Sequence, residues 1–419
     1  MSRKDLVLGI DLGTSGVSIA IINKKFQLIY FNSKSYNKGI EYCKDWKNCC
    51  QVLIKNIPFE VKERLIACSI DGTSGTLMCC NYKGKALGKA LPYFTTYIDN
   101  QSNLNNISST PIDFIENNSS FKRALELVSI FGENILLRHQ ADWITGWLLN
   151  DWRLGEEGNN LRFGWDLVKK TWPAHFKNLS WSHAFPEIIA SGDYLGTIAS
   201  VRAKELGLPS TLQIIAGTTD SNAAVLATDS SFEEGITVLG STIVIKGFSK
   251  IPIKGSGITN HLVNGEWITG GASNAGCAVL NKFFSNQDLI ELSRQINPEL
   301  NSGLNLRPLQ CKGERFPVND PSLEPIISPR PISDSLYLHG LLEGLSRIEA
   351  EGWSKLIEKG LGKPKKIITI GGGAKNPQWR RIRERLIGIP IVSCSRQPAE
   401  GVARLALNAM KKNCPEIFQ

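Results

Sequence analysis

Long apolar runs are absent from the 419-residue sequence. The runs at 6–10 and 212–216 are typical, and none approaches the roughly 18–20 residues that a membrane-spanning helix needs. The run near the start is also too short for the core of a secretory signal peptide. We therefore expect a cytoplasmic protein that has no membrane partner.

Cysteine and histidine patterns of known chemistry are absent as well. The ten cysteines include two adjacent pairs but no C-x-x-C spacing, and the five histidines are scattered. This argues against a zinc site and against a Ser/His/Asp arrangement. Cys68, Cys79 and Cys80 lie in strand-like apolar context, so we expect buried thiols in a reducing compartment.

The positive charge is in excess but dispersed. Forty-eight Lys and Arg against thirty-nine Asp and Glu give a net charge of +9. The densest stretches, 363–366 and 380–385, are not interleaved with aromatic residues as a nucleic-acid track would be. A small phosphate-bearing molecule fits this surplus better than a nucleic-acid partner does.

Length and pattern predict an α/β protein of two domains. The chain is too long for one ordinary core, and strand-like and helix-like segments alternate along it. We place the domains at 1–228 and 229–419. The segment 235–245 is apolar, then Gly-Ser-Thr, then apolar, like the hairpin at 6–22, which suggests two halves of related design. The Asn- and Ser-rich stretch 97–120 is expected to be a surface excursion.

Two glycine-rich turns are candidates for binding phosphate. Asp11-Leu-Gly-Thr-Ser-Gly16 follows an apolar strand, and Gly240-Ser-Thr242 joins two strands. Such turns offer backbone N–H and hydroxyl donors to phosphoryl groups, while a strand-end carboxylate suits hydrated Mg²⁺. Each turn alone could equally be an ordinary hairpin turn. Facing each other across a cleft, they would hold one polyphosphate from both sides.

Gly217-Thr-Thr-Asp220 places a carboxylate in the first turn of a predicted helix. The helix dipole favours the ionised form there. An ionised Asp within reach of a substrate hydroxyl can serve as the general base in phosphoryl transfer. The alternative interpretation is a helix N-cap supplied by one of the three polar residues.

Gly371-Gly-Gly-Ala-Lys-Asn376 leads from a strand into a helix that Pro377 begins and Gly388 ends, with Asn376 as the N-cap. Consecutive glycines let a ligand ring lie against the backbone. The spacing is not that of the dinucleotide fingerprint, and no P-loop is present. Without a ligand, this segment would be a flexible strand–helix loop.

Taken together, these segments resemble the FGGY family of sugar kinases. The resemblance is carried by LGIDLGTSG, SIDGTSGT, AGTTDSNAA, LGSTIVIK, GGASN and IGGGAKNPQW. It implies an α/β fold of two actin-like (ribonuclease H-like) ATPase domains with an interdomain cleft. It also implies ATP and Mg²⁺ as cofactors and a small sugar as the substrate. Within the family, the chain is most similar to the short xylulose-kinase-like and D-ribulose kinases of cyanobacteria and plant plastids.

The resemblance also implies roles for individual residues. Asp220 would be the catalytic base and would contact the substrate, as would Ser74. Asp11 would orient Mg²⁺–ATP through water and lie near the sugar. The residues implied to bind ATP are Gly13, Thr14, Ser15, Gly240, Ser241, Thr242, Gly372, Gly373, Asn376 and Trp379.

Two departures bear on the substrate. Many xylulose kinases carry Gly-Gln-Met-His-Gly where this chain has Gly72-Thr-Ser-Gly-Thr76, and Trp-Asn-Asp where it has Pro92-Tyr-Phe-Thr-Thr96. D-ribulose is therefore the expected substrate, with D-xylulose or a polyol next. The alternative is an actin-fold ATPase or sugar sensor without kinase activity. Because the chain is short for the family, we expect few insertions and a monomer or small homo-oligomer.

Overall fold

The computed structural model describes residues 5–95, 110, 111, 114, 115 and 118–415, so most of the predicted excursion at 97–120 lies outside the described residues. The strands are β1 Leu6–Leu12, β2 Gly16–Asn23, β3 Leu28–Ser35, β4 Leu65–Gly72, β5 Leu77–Cys80, β6 Leu136–His139, β7 Leu154–Glu156, β8 Glu187–Ile189, β9 Tyr194–Thr197, β10 Gln213–Thr219, β11 Glu234–Leu239, β12 Ile243–Ser249, β13 Ile258–Val263, β14 Glu266–Ala272, β15 Lys366–Ile370 and β16 Ile391–Ser393. The α-helices are α1 Cys43–Lys55, α2 Phe59–Lys62, α3 Ser119–Phe131, α4 Gln140–Leu149, α5 Glu157–Asn160, α6 Ser200–Leu206, α7 Asp220–Ala227, α8 Cys277–Leu280, α9 Asn286–Ser293, α10 Asp334–Glu358, α11 Pro377–Ile387 and α12 Pro398–Asn413.

The chain divides into two compact units. Unit 1 contains the residues up to Ala227, Leu262–Gly265 and those from Gln397 onward, and unit 2 contains the remainder. The sequence prediction assigned all of 229–419 to the second domain. The structure instead groups the C-terminal helix α12 with unit 1.

Each unit is built on a six-stranded mixed sheet of the same design. The strand order is β3-β2-β1-β4-β10-β9 in unit 1 and β13-β14-β12-β11-β15-β16 in unit 2. In both sheets the first strand pairs antiparallel with the second and parallel with a strand reached by a helical crossover. The sequence likeness of the two hairpins therefore reflects a shared architecture.

The unit 1 sheet is covered on both faces, which explains the unbroken apolar run of β1. Leu6, Leu8 and Ile10 join the core that contains α1 and α4. Val7 points to the opposite face, where it packs with Ala403 and neighbouring residues of α12.

The return of α12 to unit 1 has a steric cause. A Cβ on Gly9 of β1 would lie 2.0 Å from the backbone oxygen of Ala399, so the helix rests directly on the strand. A Cβ on Gly401 would lie 1.8 Å from the oxygen of Ala223 in α7. Glycine at both crossings lets the backbones approach. Sequence pattern alone gave no sign of which sheet this helix would cover.

A second core in unit 1 consists of aromatic side chains from the Trp-rich region. Phe121 of α3 packs with Phe176 and Trp181, and Phe176 stacks on Phe185 at 4.5 Å between ring centroids.

The predicted buried thiols Cys68, Cys79 and Cys80 are indeed buried and free.

In unit 2 the long helix α10 covers one face of the sheet with the apolar side chains Leu338, Leu341, Leu345 and Ile348. Helix α11 begins and ends at the residues predicted. Asn376 caps it by accepting from the backbone N–H groups of Gln378 and Trp379, and Gly388 ends it in the left-handed conformation.

Within the described part of the chain, no helix is both long enough and apolar enough to cross a membrane.

Candidate active site

Three aspartates meet at one edge of the unit 1 sheet. Strand β4 lies between β1 and β10 and runs parallel to both, with Asp71 opposite Asp11 on one side and opposite Thr218 on the other. Asp220 follows directly after β10 as the first residue of α7. Because the carboxyl ends of parallel strands share an edge, which is where α/β sheets bind ligands, the three carboxylates form one acidic cluster.

Burial controls the electrostatics of this cluster. Asp71 is fully buried, and among the described residues no N–H donor or hydroxyl group reaches its carboxylate oxygens, although its carboxyl group lies within hydrogen-bond reach of that of Asp11. Burial and the negative charge of Asp11 raise the pKa of Asp71 well above its ordinary value. Burial also raises the pKa of Asp11 to about 6, and the charge of Asp220 adds to the rise while Asp71 opposes it. The cluster therefore favours the binding of a proton or a cation.

Asp220 is half-buried at the N-terminus of α7, and its Oδ1 accepts from the backbone N–H of Ser221 at 2.6 Å. Thr219 Oγ1 accepts from the N–H of Asn222 at 3.4 Å, so this threonine supplies the helix cap. The capping interpretation of the motif thus applies to Thr219. The carboxyl group of Asp220 lies in the first turn of α7, where the helix dipole favours its ionised form.

The turn 11–16 projects hydroxyl groups from the end of the β1–β2 hairpin. Thr14 and Ser15 are exposed, and Gly13 N donates to Gly16 O at 2.9 Å. Neither glycine has a positive φ, contrary to the expectation for a glycine-rich turn. Gly16 is needed for another reason, because a Cβ there would lie 2.5 Å from the oxygen of Lys34 in β3.

The turn 72–76 follows β4 beside this hairpin in the same unit. Ser74 is half-buried, and its Oγ accepts from Arg162 Nε at 3.4 Å. The flanking Thr73 and Thr76 are buried and hydrogen-bonded to each other at 2.7 Å. Ser74 is thus the most accessible hydroxyl of this turn.

In unit 2, the turn of Gly240, Ser241 and Thr242 joins β11 to β12. Its carbonyl groups are held from behind, since Gly240 O accepts from Cys277 N at 2.9 Å and Ser241 O from Gln310 Nε2 at 2.8 Å. The side chain of Ser241 is exposed. This is the arrangement that a second phosphate turn would need, with its acceptors turned away from the ligand.

Packing accounts for two of the three glycines in the loop after β15. Gly371 has φ +95°, and a Cβ there would lie 2.5 Å from Leu239 O. A Cβ on Gly373 would lie 2.6 Å from the ring of Trp379. Only Gly372 has open space around its Cβ position. The expectation that all three glycines serve a ligand is therefore too broad, and Gly372 alone marks an open stretch of backbone.

The structure places the two other predicted adenosine contacts below this loop. Trp379 is 2% exposed, and its Nε1 donates to Ser346 Oγ at 3.1 Å, so its ring supports the loop from beneath. The amide of Asn376 caps α11 with its oxygen and donates to Ser293 Oγ at 2.8 Å with its nitrogen. Both residues therefore shape the loop, and a direct contact from the Trp379 side chain to a ligand is not supported by its burial.

The donors present fit magnesium better than a softer metal. Within the described residues, no three His, Cys, Asp or Glu side chains are grouped to hold a metal ion. Mg²⁺ commonly uses one or two carboxylates and completes its shell with waters and phosphate oxygens. The hard carboxylate oxygens of Asp11 and Asp71 match that chemistry.

Sequence reasoning missed Asp71. It also missed the residues that hold the end of β10, the strand that precedes Asp220. Asn159 Nδ2 donates to Thr218 O at 3.2 Å and to Glu156 Oε2 at 2.8 Å, which fixes the end of β10. Burial raises the pKa of Glu156 to about 8. The signal for Asp71 was available, because it ends an apolar strand just as Asp11 does. Asn159 and Glu156 lie in an irregular segment that carries no such signal.

The fold that holds these residues is an α/β fold of two units, each built on a six-stranded mixed sheet. It is similar to a ligand-bound xylulose kinase from Lactobacillus acidophilus (TM-score 0.78, 18% identity, 99% of this chain and 91% of that one). It is also similar to a xylulose kinase from Rhodospirillum rubrum (TM-score 0.80, 17% identity, 98% and 90% covered). A third similar structure is the glycerol kinase of Plasmodium falciparum with ADP (TM-score 0.77, 14% identity, 97% and 90% covered).

These likenesses confirm the predicted fold class over nearly the full chain. No model of a known protein family matches the sequence.

Proposed function

We propose that the protein is an ATP- and Mg²⁺-dependent kinase that transfers the γ-phosphoryl group of ATP to a hydroxyl of a pentulose, with D-ribulose as the first choice. The observation that carries the proposal is the cluster of Asp11, Asp71 and Asp220 at the carboxyl ends of three adjacent strands, beside a turn with exposed hydroxyl groups. The sugar and polyol kinases that share the fold support it.

In this proposal unit 1 carries the chemistry. Asp220 accepts the proton of the attacking hydroxyl, Ser74 and Asp11 contact the sugar, and Thr14 and Ser15 donate to the terminal phosphates. Asp11 and Asp71 would face the magnesium ion, which neutralises charge on the phosphate oxygens when it is bound.

Unit 2 supplies nucleotide contacts in the same proposal. Gly240, Ser241 and Thr242 would form the second phosphate turn, and the open backbone at Gly372 would lie against the adenosine. Gly373, Asn376 and Trp379 would act by holding that loop in shape. A cytoplasmic location and a monomeric or small oligomeric state remain predictions.

The substrate is argued from the turn after β4. This turn reads Gly72-Thr-Ser-Gly-Thr76 where many xylulose kinases are expected to carry Gly-Gln-Met-His-Gly, so its polar side chains are the hydroxyl groups of Thr73, Ser74 and Thr76. Two of the three hydroxyls are buried and bonded within the chain, which leaves Ser74 to contact the sugar. D-ribulose is preferred on this ground, with D-xylulose and polyols as competitors.

The test is ADP release with Mg²⁺–ATP across D-ribulose, L-ribulose, D-xylulose, L-xylulose, ribitol and glycerol. Replacing the base in Asp220→Asn should lower turnover on the best sugar by about 10²–10⁴-fold, the usual contribution of general-base catalysis. Since Asn is isosteric with Asp, the thermal unfolding midpoint should stay near that of the wild type.

The matched control is Asp229→Asn, just beyond the other end of the same helix. Asp229 is exposed and has φ +58°, a conformation that Asn tolerates well. This variant should retain wild-type turnover. Slow ADP release that no sugar stimulates would contradict the kinase proposal and favour an actin-fold ATPase or sensor, and full activity of Asp220→Asn would overturn the role of the base.

A further inference from the structure

A chain of buried and partly buried hydrogen bonds joins the turn 72–76 to the turn 11–16 within unit 1. Gln140, the first residue of α4, is at its centre and is fully buried. Its Oε1 accepts from the backbone N–H of Thr73 at 3.1 Å and from Thr73 Oγ1 at 2.7 Å. Its Nε2 donates to the hydroxyl of Tyr36 at 3.1 Å, and Tyr36 donates to Gly13 O at 3.1 Å.

The direction of every bond in this chain is determined by its two ends. The N–H of Thr73 can only donate, so the amide oxygen of Gln140 must face it and the amide nitrogen must face Tyr36. The carbonyl of Gly13 can only accept, so the single Tyr36 proton must point toward it. No alternative orientation satisfies all the groups, which makes the bridge rigid.

Tyr36 holds the turn 11–16 at two points. Besides the bond from its hydroxyl to Gly13, its backbone N–H donates to Ser15 O at 2.9 Å. Burial raises the pKa of the Tyr36 hydroxyl far above its ordinary value, so the group stays neutral and keeps its donor. The two carbonyls lie on either side of Thr14, so a shift of Tyr36 would move the exposed hydroxyls of this turn.

The other end of the bridge is equally close-packed. A Cβ on Gly72 would lie 3.1 Å from the N–H of Ala141 and 3.4 Å from Gln140 Oε1. Thr73 also bonds Thr76 at 2.7 Å, so the bridge reaches both ends of the segment that holds Ser74. A displacement of Ser74 by a bound sugar is therefore transmitted to Gln140, because packed interiors do not deform locally.

We propose that Gln140 and Tyr36 are positioning residues that couple sugar binding at the turn 72–76 to nucleotide binding at the turn 11–16. The inference rests on the proposed kinase function and adds a device by which the enzyme binds ATP more tightly when sugar is present. Coupling is reciprocal, so ATP would raise the affinity for sugar by the same factor.

The experiment measures binding of a non-hydrolysable ATP analogue with Mg²⁺ to the full chain by calorimetry, with and without saturating amounts of the pentulose that the ADP-release assay identifies. Saturating sugar should tighten analogue binding by about fivefold or more in the wild type. In Tyr36→Phe and in Gln140→Met this factor, the ratio of the two affinities measured on the same variant, should fall toward one, even where the affinity for the analogue without sugar also changes. The double variant should lose no more than either single variant, since both break one chain.

Tyr30→Phe is the matched control. It removes a tyrosine hydroxyl from the same strand region, where the hydroxyl donates to Asn56 O at 3.4 Å and takes no part in the bridge. This variant should keep the wild-type coupling factor.

The two proposals fail in distinguishable ways. Absence of sugar-stimulated ADP release from the wild type would overturn the kinase function. A wild type that phosphorylates a pentulose but binds the analogue equally well with and without sugar would overturn the coupling alone. The coupling would also be overturned if Tyr36→Phe and Gln140→Met, folded as judged by thermal unfolding, kept the wild-type coupling factor.

Discussion

Asp71 is a buried carboxyl group beside two others, and this placement costs free energy of folding at neutral pH. Its pKa is raised in the folded state by burial and by the charge of Asp11. The pKa of Asp11 likewise rises from 3.8 to about 6. The folded protein therefore binds more protons than the unfolded chain in this range, so the contribution of these groups to stability decreases as the pH rises through the raised pKa values.

We expect Asp71→Asn to flatten the decline of the unfolding free energy as the pH rises above about 4, the ordinary pKa of an aspartate, because one of the titrating carboxyl groups is removed. Each unit of pKa shift corresponds to about 1.4 kcal/mol. Urea unfolding of the wild type and the variant at several pH values measures the difference.

Asp166→Asn is the control for this prediction. The backbone N–H of Lys169 lowers the pKa of Asp166, so that residue stabilises the fold above its ordinary pKa and loses the effect only in acid. Its replacement should shift the unfolding free energy by a constant amount over the same range. If the pH dependence of the unfolding free energy changed equally in both variants, the decline could not be attributed to Asp71.

At the residue scale, the sequence located the strand-end residues but not their supports. Asp11, Ser74 and Asp220 could be predicted because each ends or follows a strand within a recognisable motif. Tyr36 and Gln140 could not, since their roles depend on contacts across 104 positions of sequence. Trp379 is buried beneath the glycine loop, so its predicted contact with adenosine stays a prediction.

Among the helices, α11 is held to the unit 2 core by an ion pair with no access to water. Arg383 donates to Glu349 of α10 through Nε at 2.6 Å and through a terminal nitrogen at 2.8 Å. Thr237 of β11 donates to the same carboxylate at 2.7 Å. The pair thus connects α11, which follows the glycine loop, to β11, which precedes the turn at Gly240.

Arg383→Met should lower the unfolding free energy by about 3–5 kcal/mol, because it leaves the Glu349 carboxylate buried without its charge partner. Arg381→Met is the control in the same helix, where the partner Glu299 is at 3.2 Å and both side chains are more than half exposed. That change should cost less than about 1 kcal/mol. Chemical denaturation of both variants makes the comparison, and equal losses would contradict a special role for the buried pair.

At the element scale, capping and glycine residues predicted where a helix begins and ends, whereas apolar runs did not predict the lengths of strands. Asn376, Pro377 and Gly388 marked both ends of α11 correctly. Strand β16 covers only Ile391–Ser393 of the apolar segment that begins at Ile389, and β3 begins at Leu28, after a turn in which Phe26 has φ +59°. Strand ends depend on pairing partners, which a single segment does not reveal.

For the molecule as a whole, the main departure from expectation is that unit 1 is assembled from separated parts of the chain. Helix α12 covers β1 and supports α7, the helix that begins with Asp220. Apolar pattern predicts that such a helix is amphipathic, but not which of two similar sheets it covers.

Gly9→Ala tests this contact. The added Cβ would meet the backbone oxygen of Ala399 at 2.0 Å, and backbone cannot move aside as a side chain can. We expect a loss of about 3 kcal/mol of unfolding free energy and a loss of the proposed kinase activity with it. Gly362→Ala, where no atom lies within 4 Å of the Cβ position, should leave both unchanged. Tolerance of Gly9→Ala would show that α12 can leave the strand without consequence.

Because unit 1 contains both the first 227 residues and those from Gln397 onward, its parts are synthesised at different times. Residues 228–396 are synthesised before α12, so β1 and β4 lack cover on one face until the last residues of the chain have been made and released. The nascent chain must keep that apolar face from aggregating until the helix arrives. Synthesis that pauses within unit 2 therefore prolongs the period in which this apolar face of the unit 1 sheet is uncovered.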